Sequence, residues 1–390
     1  YILIMAILLH DLGKVAGEAH MAESVRRARR VCQRMGLPAE DEEQIVFLVE
    51  HHLLMNTISQ FRDTDDDHIL DSFASRVKTE QRLRALFLLS FADLYAVGPD
   101  IWTEWKGILL MQLYLRTVKR LLGRAETVGE EFWRSPKADQ IRRLTPTELR
   151  ERVEDHLRGL GQRYFLAFTS EQVVDHLRCI AEAEKKGLAL HSSEGPRGQS
   201  EVVICTRDRH GLFSMLAGAF SSQLVDVTSA AVFTRPDGLI VDCFAVTDAR
   251  YRRALTRRQI RAVERVLEAV LVEGKPIREY VERARHRLFA LFQPRLPVPT
   301  RVEFDNESSR TLTVIDIETG DRTGLLYDIT RAMAEAGLEI VTARIVTDAR
   351  RVRDSFYVHY NHAKIESCEQ QEEVRERLHQ AIHPRSTVEA

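Results

Sequence analysis

Three rhythms of apolar and polar positions follow one another along this chain, and the changes of rhythm divide it. From Tyr1 to Leu9 every residue is apolar or aromatic, and the run stops at His10–Asp11. Between Asp41 and Met55, the residues Ile45, Leu48, Val49 and His52 fall at i, i+3, i+4 and i+7, the spacing of one helix face. Gln81–Val97 (QRLRALFLLSFADLYAV) is apolar almost all round, which predicts a central buried helix stopped by Gly98–Pro99. A further helix is expected from Trp102 to Leu122, ending at Gly123. Residues 1–123 therefore read as an all-helical domain.

Residues 124–199 continue with more polar helices and read as a connector. Thr145, Pro146 and Glu148 have the spacing of a capping box. Thr169 and Gln172 repeat the device at the head of a helix that closes at Gly187. His191–Ser200 (HSSEGPRGQS) reads as a linker, dense in Gly, Ser and Pro.

Beyond Ser200 the period falls to two. SEVVICTRD predicts a strand, GLFSMLAGAFSSQ a short helix, and VDVTSAAVFTRPDGLIVDCFAVTD two strands around Pro236–Asp237–Gly238. A helix follows from about Thr256 to Val272, giving the order βαββα with a fourth strand undecided. The pattern then returns. Asp208 and Asp321 open DRHGLF and DRTGLL, and Ala230 and Ala343 and Thr234 and Thr347 keep the same separation of 113 positions. VDCF and RDSF are 112 apart, a one-residue difference in the hairpin. Two copies of one α+β module are expected, at 200–280 and 309–390, joined by a helix and a proline-rich link over 281–308.

A net charge of −2 gives no global reason to expect nucleic acid or an anionic membrane as partner. The five cysteines are dispersed, with no CxxC spacing, which fits reduced thiols in a cytoplasmic protein. The opening apolar run is shorter than the roughly 20 residues a membrane span needs.

Ionisable residues in the apolar helices carry the candidate chemistry. An ionised carboxylate in an apolar interior costs several kcal/mol unless paired. A cation is an economical partner for the adjacent His10 and Asp11. Asp93 stands in the most apolar helix of the domain, His51 and His52 lie on an otherwise apolar face, and His20 follows Asp11 by nine positions. Each alone has a bland reading as a satisfied core residue or a cap. Together they suggest a metal held by imidazole and carboxylate, a donor set that suits Mn, Mg, Fe or Zn.

The text HDLGK…H…EHHLLM…FADLYA resembles the HD-type metal-dependent phosphohydrolases. The resemblance makes His10–Asp11 the signature pair and Asp93 the distal aspartate. It makes Lys14 the lysine of the HDxGK form, and His20, His51 and His52 ligands of a second metal; the motif's first histidine would precede Tyr1. The longer match, through VEHHLLMNTISQFRDTDD and LFLLSFADLYAVGPDIWTEWKG to the paired DRxGL modules, is similar to the family of bifunctional PII uridylyltransferase/uridylyl-removing enzymes. It covers essentially the whole chain. It implies an HD-type helical domain and connector followed by two ferredoxin-like (βαββαβ) ACT modules.

The implied activity is hydrolysis of UMP from a tyrosine of the PII signalling protein, with a divalent metal, Mn or Mg first. Asp11 and Lys14 would be catalytic, in a parent that also uridylylates PII with UTP. Glutamine would bind at Asp208, Gly211 and Leu212 and at Asp321, Gly324 and Leu325, and the ACT modules could mediate self-association. The family's proline after DR is His210 and Thr323 here. The glycine after the first module helix is Gly337 in the second copy but Leu224 in the first, so that turn is expected to be built differently. Two rivals are a (p)ppGpp hydrolase, which also joins HD and ACT modules, and an amino-acid sensor with a degenerate HD domain.

Overall fold

A computed structural model describes residues 1–14, 20–62, 64, 67–97, 104–123, 132–195, 198–287, 298–348 and 351–383. The chain forms two compact units, Tyr1–Thr127 and Val128–Ala390.

The first unit is helical: α1 (Ile2–Leu9), α2 (His20–Arg34), α3 (Ala39–His51), α4 (Leu54–Phe61), α5 (Asp67–Val77), α6 (Glu80–Val97) and α7 (Glu104–Leu121). Its core joins Ala6 of α1, Leu48 of α3, Phe73 of α5, Leu83, Leu86 and Leu89 of α6 and Leu110 and Leu113 of α7. Fully burying each large apolar side chain contributes about 1.5–3 kcal/mol. The helix expected across Asp41–Met55 breaks at His52–Leu53 into α3 and α4. Helix α6 is not buried all round: Leu88, Phe91 and Tyr95 face outward, because neighbouring helices cover only the Leu83–Leu86–Leu89 side. Ile4 and Leu8 of the opening run are likewise exposed, while Ala6 and Leu9 are buried.

The second unit begins with α8 (Pro136–Leu144), α9 (Arg150–Gly159), α10 (Gln162–Ala167) and α11 (Ser170–Lys186). The first module then runs β1 (Leu188–Glu194), β2 (Ser200–Arg207), α12 (Leu212–Ser222), β3 (Val225–Ala231), β4 (Leu239–Asp248) and α13 (Arg257–Leu267). After α14 (Ile277–Arg287) the second runs β5 (Arg301–Asp305), β6 (Thr313–Gly320), α15 (Leu325–Glu335), β7 (Leu338–Asp348), β8 (Arg351–Tyr360) and α16 (Cys368–Ile382). Residues 288–297, which hold most of the expected proline-rich link, lie outside the described residues.

All the strands form one antiparallel sheet in the order β1-β2-β4-β3-β7-β8-β6-β5. The order reads the same from either edge once the repeat is applied. The seam is the β3–β7 pair, in which Ala231 lies opposite Arg344, its own counterpart 113 positions on. A pseudo-twofold axis therefore passes through that pair, and one apolar cluster runs through both modules, from Phe220 and Phe244 to Ile315 and Phe356.

Four local expectations are corrected. His191–Glu194 is strand β1, not linker, so each module has the order ββαββα and its edge strand comes first. The helices read as a connector form a layer on the sheet: Ile180 and Leu177 of α11 pack with Cys205, Leu239 and Val241. Thr145 does not cap a following helix. Its hydroxyl donates to the Ile141 carbonyl at 2.7 Å and ends α8, whereas the Thr169–Gln172 box forms as expected. Leu224 makes the left-handed turn after all, at φ +56°, held by hydrogen bonds from its N–H to Ser221 O and from the Ala249 N–H to its carbonyl.

Candidate metal centre and ligand cavities

The metal candidates converge where α1, α3 and α6 meet. His10 is the C-terminal cap of α1, its N–H still bonded to the Ala6 carbonyl. His52 caps α3 and is 2 % exposed. Ser90 of α6 donates its hydroxyl to the His52 carbonyl at 3.2 Å, and Asp93 follows on the same face of α6.

His10 Nε2 is the hub. It lies 3.2 Å from Asp11 Oδ2 and 3.5 Å from Asp93 Oδ1. The donor atoms of His10, Asp11 and His52 all lie within 4.8 Å of one another. In both imidazoles Nδ1 is bonded to the backbone carbonyl three residues earlier, Ile7 O at 2.7 Å and Val49 O at 2.8 Å. A carbonyl accepts only, so each Nδ1 carries a proton and the tautomer that leaves Nε2 bare is selected. That arrangement orients ligands at metal sites generally. The residues present thus fit a divalent cation. In the metal-free protein a hydrogen bond to Asp93 holds the His10 imidazole above its ordinary pKa. The same contact holds Asp93 below its own, and burial lowers His52.

The other expected ligands stand apart. His51 turns its ring onto Phe47, with centroids 4.7 Å apart, and burial lowers its pKa. His20 is the first residue of α2 and is not among the converging donors. Lys14 is largely exposed and pairs with the Asp11 carboxylate.

Two positioning residues escaped the sequence reading. The Gly13 N–H donates to Ser24 Oγ at 2.9 Å, and a Cβ on Gly13 would stand 2.1 Å from the His20 carbonyl oxygen. Only glycine lets the turn carrying Asp11 and Lys14 lie this close to α2. The glycine was visible within HDLGK, but its partner Ser24 carries no local signal, and neither does Ser90.

In the second unit the two DRxGL loops lie on either side of the module seam. Asp208, Gly211 and Leu212 line a cavity of about 310 Å³, closed on the far side by Ala334 and Leu338–Val341 of the other module. Asp321, Gly324 and Leu325 line the pseudosymmetric one, closed by Ala217, Ser221 and Val225–Val227, but it holds only about 30 Å³. Gly211 and Gly324 cap their helices at φ +71° and +79°, a conformation that favours glycine.

An HD domain matches residues 2–98, and an ACR9-like, ACT-like domain matches residues 301–388. Bifunctional uridylyltransferase/uridylyl-removing enzymes from Azospirillum brasilense and Rhodospirillum rubrum are 34% and 33% identical to the chain over 91% of its length. The enzyme of the same name from Cereibacter sphaeroides is 32% identical over 98%. Over nine-tenths of its length, the chain is similar in sequence to these enzymes. It spans 38–41% of the length of these relatives. No solved structure matches it.

The two domain matches agree with the fold class, a helical HD domain followed by ACT modules. The two imidazoles and the Asp11 carboxylate, with Asp93 3.5 Å from His10 Nε2, offer a hard-to-borderline donor set that contains no thiolate. Among the described residues no helix is long and apolar enough to cross a membrane.

Proposed function

We propose that the first unit is a metal-dependent phosphodiester hydrolase that removes UMP from a uridylylated tyrosine of PII, under control of glutamine bound by the module pair. The observation that carries this is the convergence of donor atoms of His10, His52 and Asp11 within 4.8 Å of one another, with both Nδ1 atoms tied to carbonyls. The relatives' printed names supply the uridylyl-removing reaction and join it to the opposite transfer, which we assign to the longer parent.

His10, Asp11, His52 and Asp93 would hold the cation; Mn or Mg fits these donors. A bound divalent metal makes hydroxide available near neutral pH and offsets phosphoryl charge. The chain's own residues do the rest. The Ile7 and Val49 carbonyls fix the imidazole faces. Ser90 fixes the end of α3 against α6, and so His52 against Asp93. Lys14, paired with Asp11, would donate to a nonbridging phosphoryl oxygen. The tyrosine leaving group, with a pKa of about 10, needs less acid assistance than a sugar hydroxyl. His51 and His20 lie away from the converging donors, so this reading rests on one cation.

Incubating the metal-loaded protein with uridylylated PII and, separately, with (p)ppGpp tests it. UMP release that chelation abolishes is expected; release of pyrophosphate from (p)ppGpp alone would overturn it.

A further inference from the structure

The larger cavity holds an acid that the sequence reading passed over. Asp242 is on β4, whose side chains alternate between the two faces of the sheet. Leu239 and Val241 pack toward α11, while Ile240 and Phe244 face α12. Asp242 shares the α12 face with Ile240, and both line the cavity. It is 2 % exposed, and it accepts a hydrogen bond from the Phe233 N–H at 3.3 Å. Burial drives its pKa far above the carboxylate range. A carboxylate so enclosed favours a cationic partner, and the cavity beside it is of the size of small-molecule sites, roughly 300–1,000 Å³.

The opposite wall supplies the complement. Phe213 and Ser214 also line the cavity. They stand in the first turn of α12, where no side chain caps the helix and N–H groups lack intrahelical acceptors. Ammonium recognition at Asp242 and carboxylate recognition at the helix head together describe a free α-amino acid. Glu339 and His359 on the rim, 3.3 Å apart, are polar groups for its side chain.

The second copy provides an internal comparison. Asp354 repeats Asp242 and is 1 % exposed, but the space beside it is about 30 Å³, room for water only. Arg252 of the first module lies 3.5 Å from Asp321 on that side, whereas its counterpart Lys364 turns away to the Asn306 carbonyl at 2.7 Å.

We propose that each chain binds one amino-acid effector, in the Asp208–Ser214 cavity, with Asp242 receiving its ammonium group, and that the Asp321 cavity stays closed. This rests on the reading of the module pair as a glutamine sensor and says which copy acts and through which residue. Calorimetry on the full chain tests it, with L-glutamine and with 4-carbamoylbutanoate, the same molecule without its ammonium group. One glutamine per chain is expected, with 4-carbamoylbutanoate and Asp242→Asn each weakening binding by about 10–150-fold. Asp354→Asn should bind as wild type. Because Asp242→Asn removes a buried carboxylate, its thermal midpoint should hold or rise while affinity falls; a purely structural aspartate would lose both.

Two sites per chain, loss on Asp354→Asn alone, or equal affinity for the two ligands would overturn the proposal. If glutamine gives no heat at millimolar concentration but another amino acid binds in an Asp242-dependent way, the glutamine reading fails and the site stands. If no amino acid binds, both fail.

Discussion

Gly13→Ala tests how the metal turn is held. An alanine Cβ would meet the His20 carbonyl oxygen at 2.1 Å, the Ser24 backbone nitrogen at 2.5 Å and Ser24 Oγ at 2.8 Å. Ordinary contact lies near 3.5 Å, so the turn and the head of α2 must separate by more than an ångström. Two of the three obstacles are backbone atoms, and no rotamer change relieves them. Overpacking of this kind costs about 1–3 kcal/mol, and losing the Gly13 N–H to Ser24 Oγ bond adds about 1. The variant should be destabilised by about 2–4 kcal/mol, a fall in Tm of roughly 5–20 °C. Adding Ser24→Ala should not rescue it, since that removes only the movable contact. Denaturation followed by tryptophan fluorescence, with manganese titration of the surviving folded protein, measures both effects. An ångström of displacement at a site can cost about 100-fold in function. A Gly13→Ala protein within about 0.5 kcal/mol of wild type, with unchanged metal affinity, would refute the packing argument.

Leu224→Gly should stabilise the first module by about 0.5–1 kcal/mol. An L-residue in the left-handed region costs about 1–2, glycine returns part of that as chain entropy, and Leu224 is absent from the apolar clusters. Equal or lower stability in urea would count against it. The buried Tyr164 hydroxyl lies 2.7 Å from His176 Nδ1 and 3.0 Å from His156 Nε2. Burial takes His176 down to a pKa of about 3. The folded state thus refuses a proton that the unfolded chain takes up below about 6.5, so stability is lost as pH falls from 6.5 toward 3, by up to about 4 kcal/mol. His176→Gln should flatten that slope between pH 7 and 5, and an unchanged slope would contradict the assignment.

Periodicity made the helices and the repeat legible, because a core face imposes its spacing on local sequence. The 113-residue register makes Arg344 the counterpart of Ala231, but only the sheet shows the two opposite each other on the pseudo-twofold axis. What the sequence hid depended on long-range packing. HSSE in β1 carries polar residues because it is an edge strand, so composition alone reads it as linker. Leu224 contradicted local preference because Ala249 and Ser221 hold the turn from outside. His10, Asp11, Asp93 and His52 stood out as ionisable groups in apolar helices. His51, their neighbour, differs only in facing Phe47, a distinction of helix phase at the end of α3. Asp242 was hidden by symmetry, since VDCF and RDSF carry the same aspartate and only the cavities differ.

Metal content and UMP release, measured together on wild type and Asp93→Asn, test the central claim most directly. Asparagine keeps the shape at 3.5 Å from His10 Nε2 and removes the negative charge. The account predicts about one manganese per wild-type chain and UMP release from uridylylated PII that chelator stops. Asp93→Asn should lose metal affinity by at least about 10-fold and activity by about 100-fold or more, with the fold intact. Full-rate UMP release by Asp93→Asn, or by wild type stripped of metal, would contradict it.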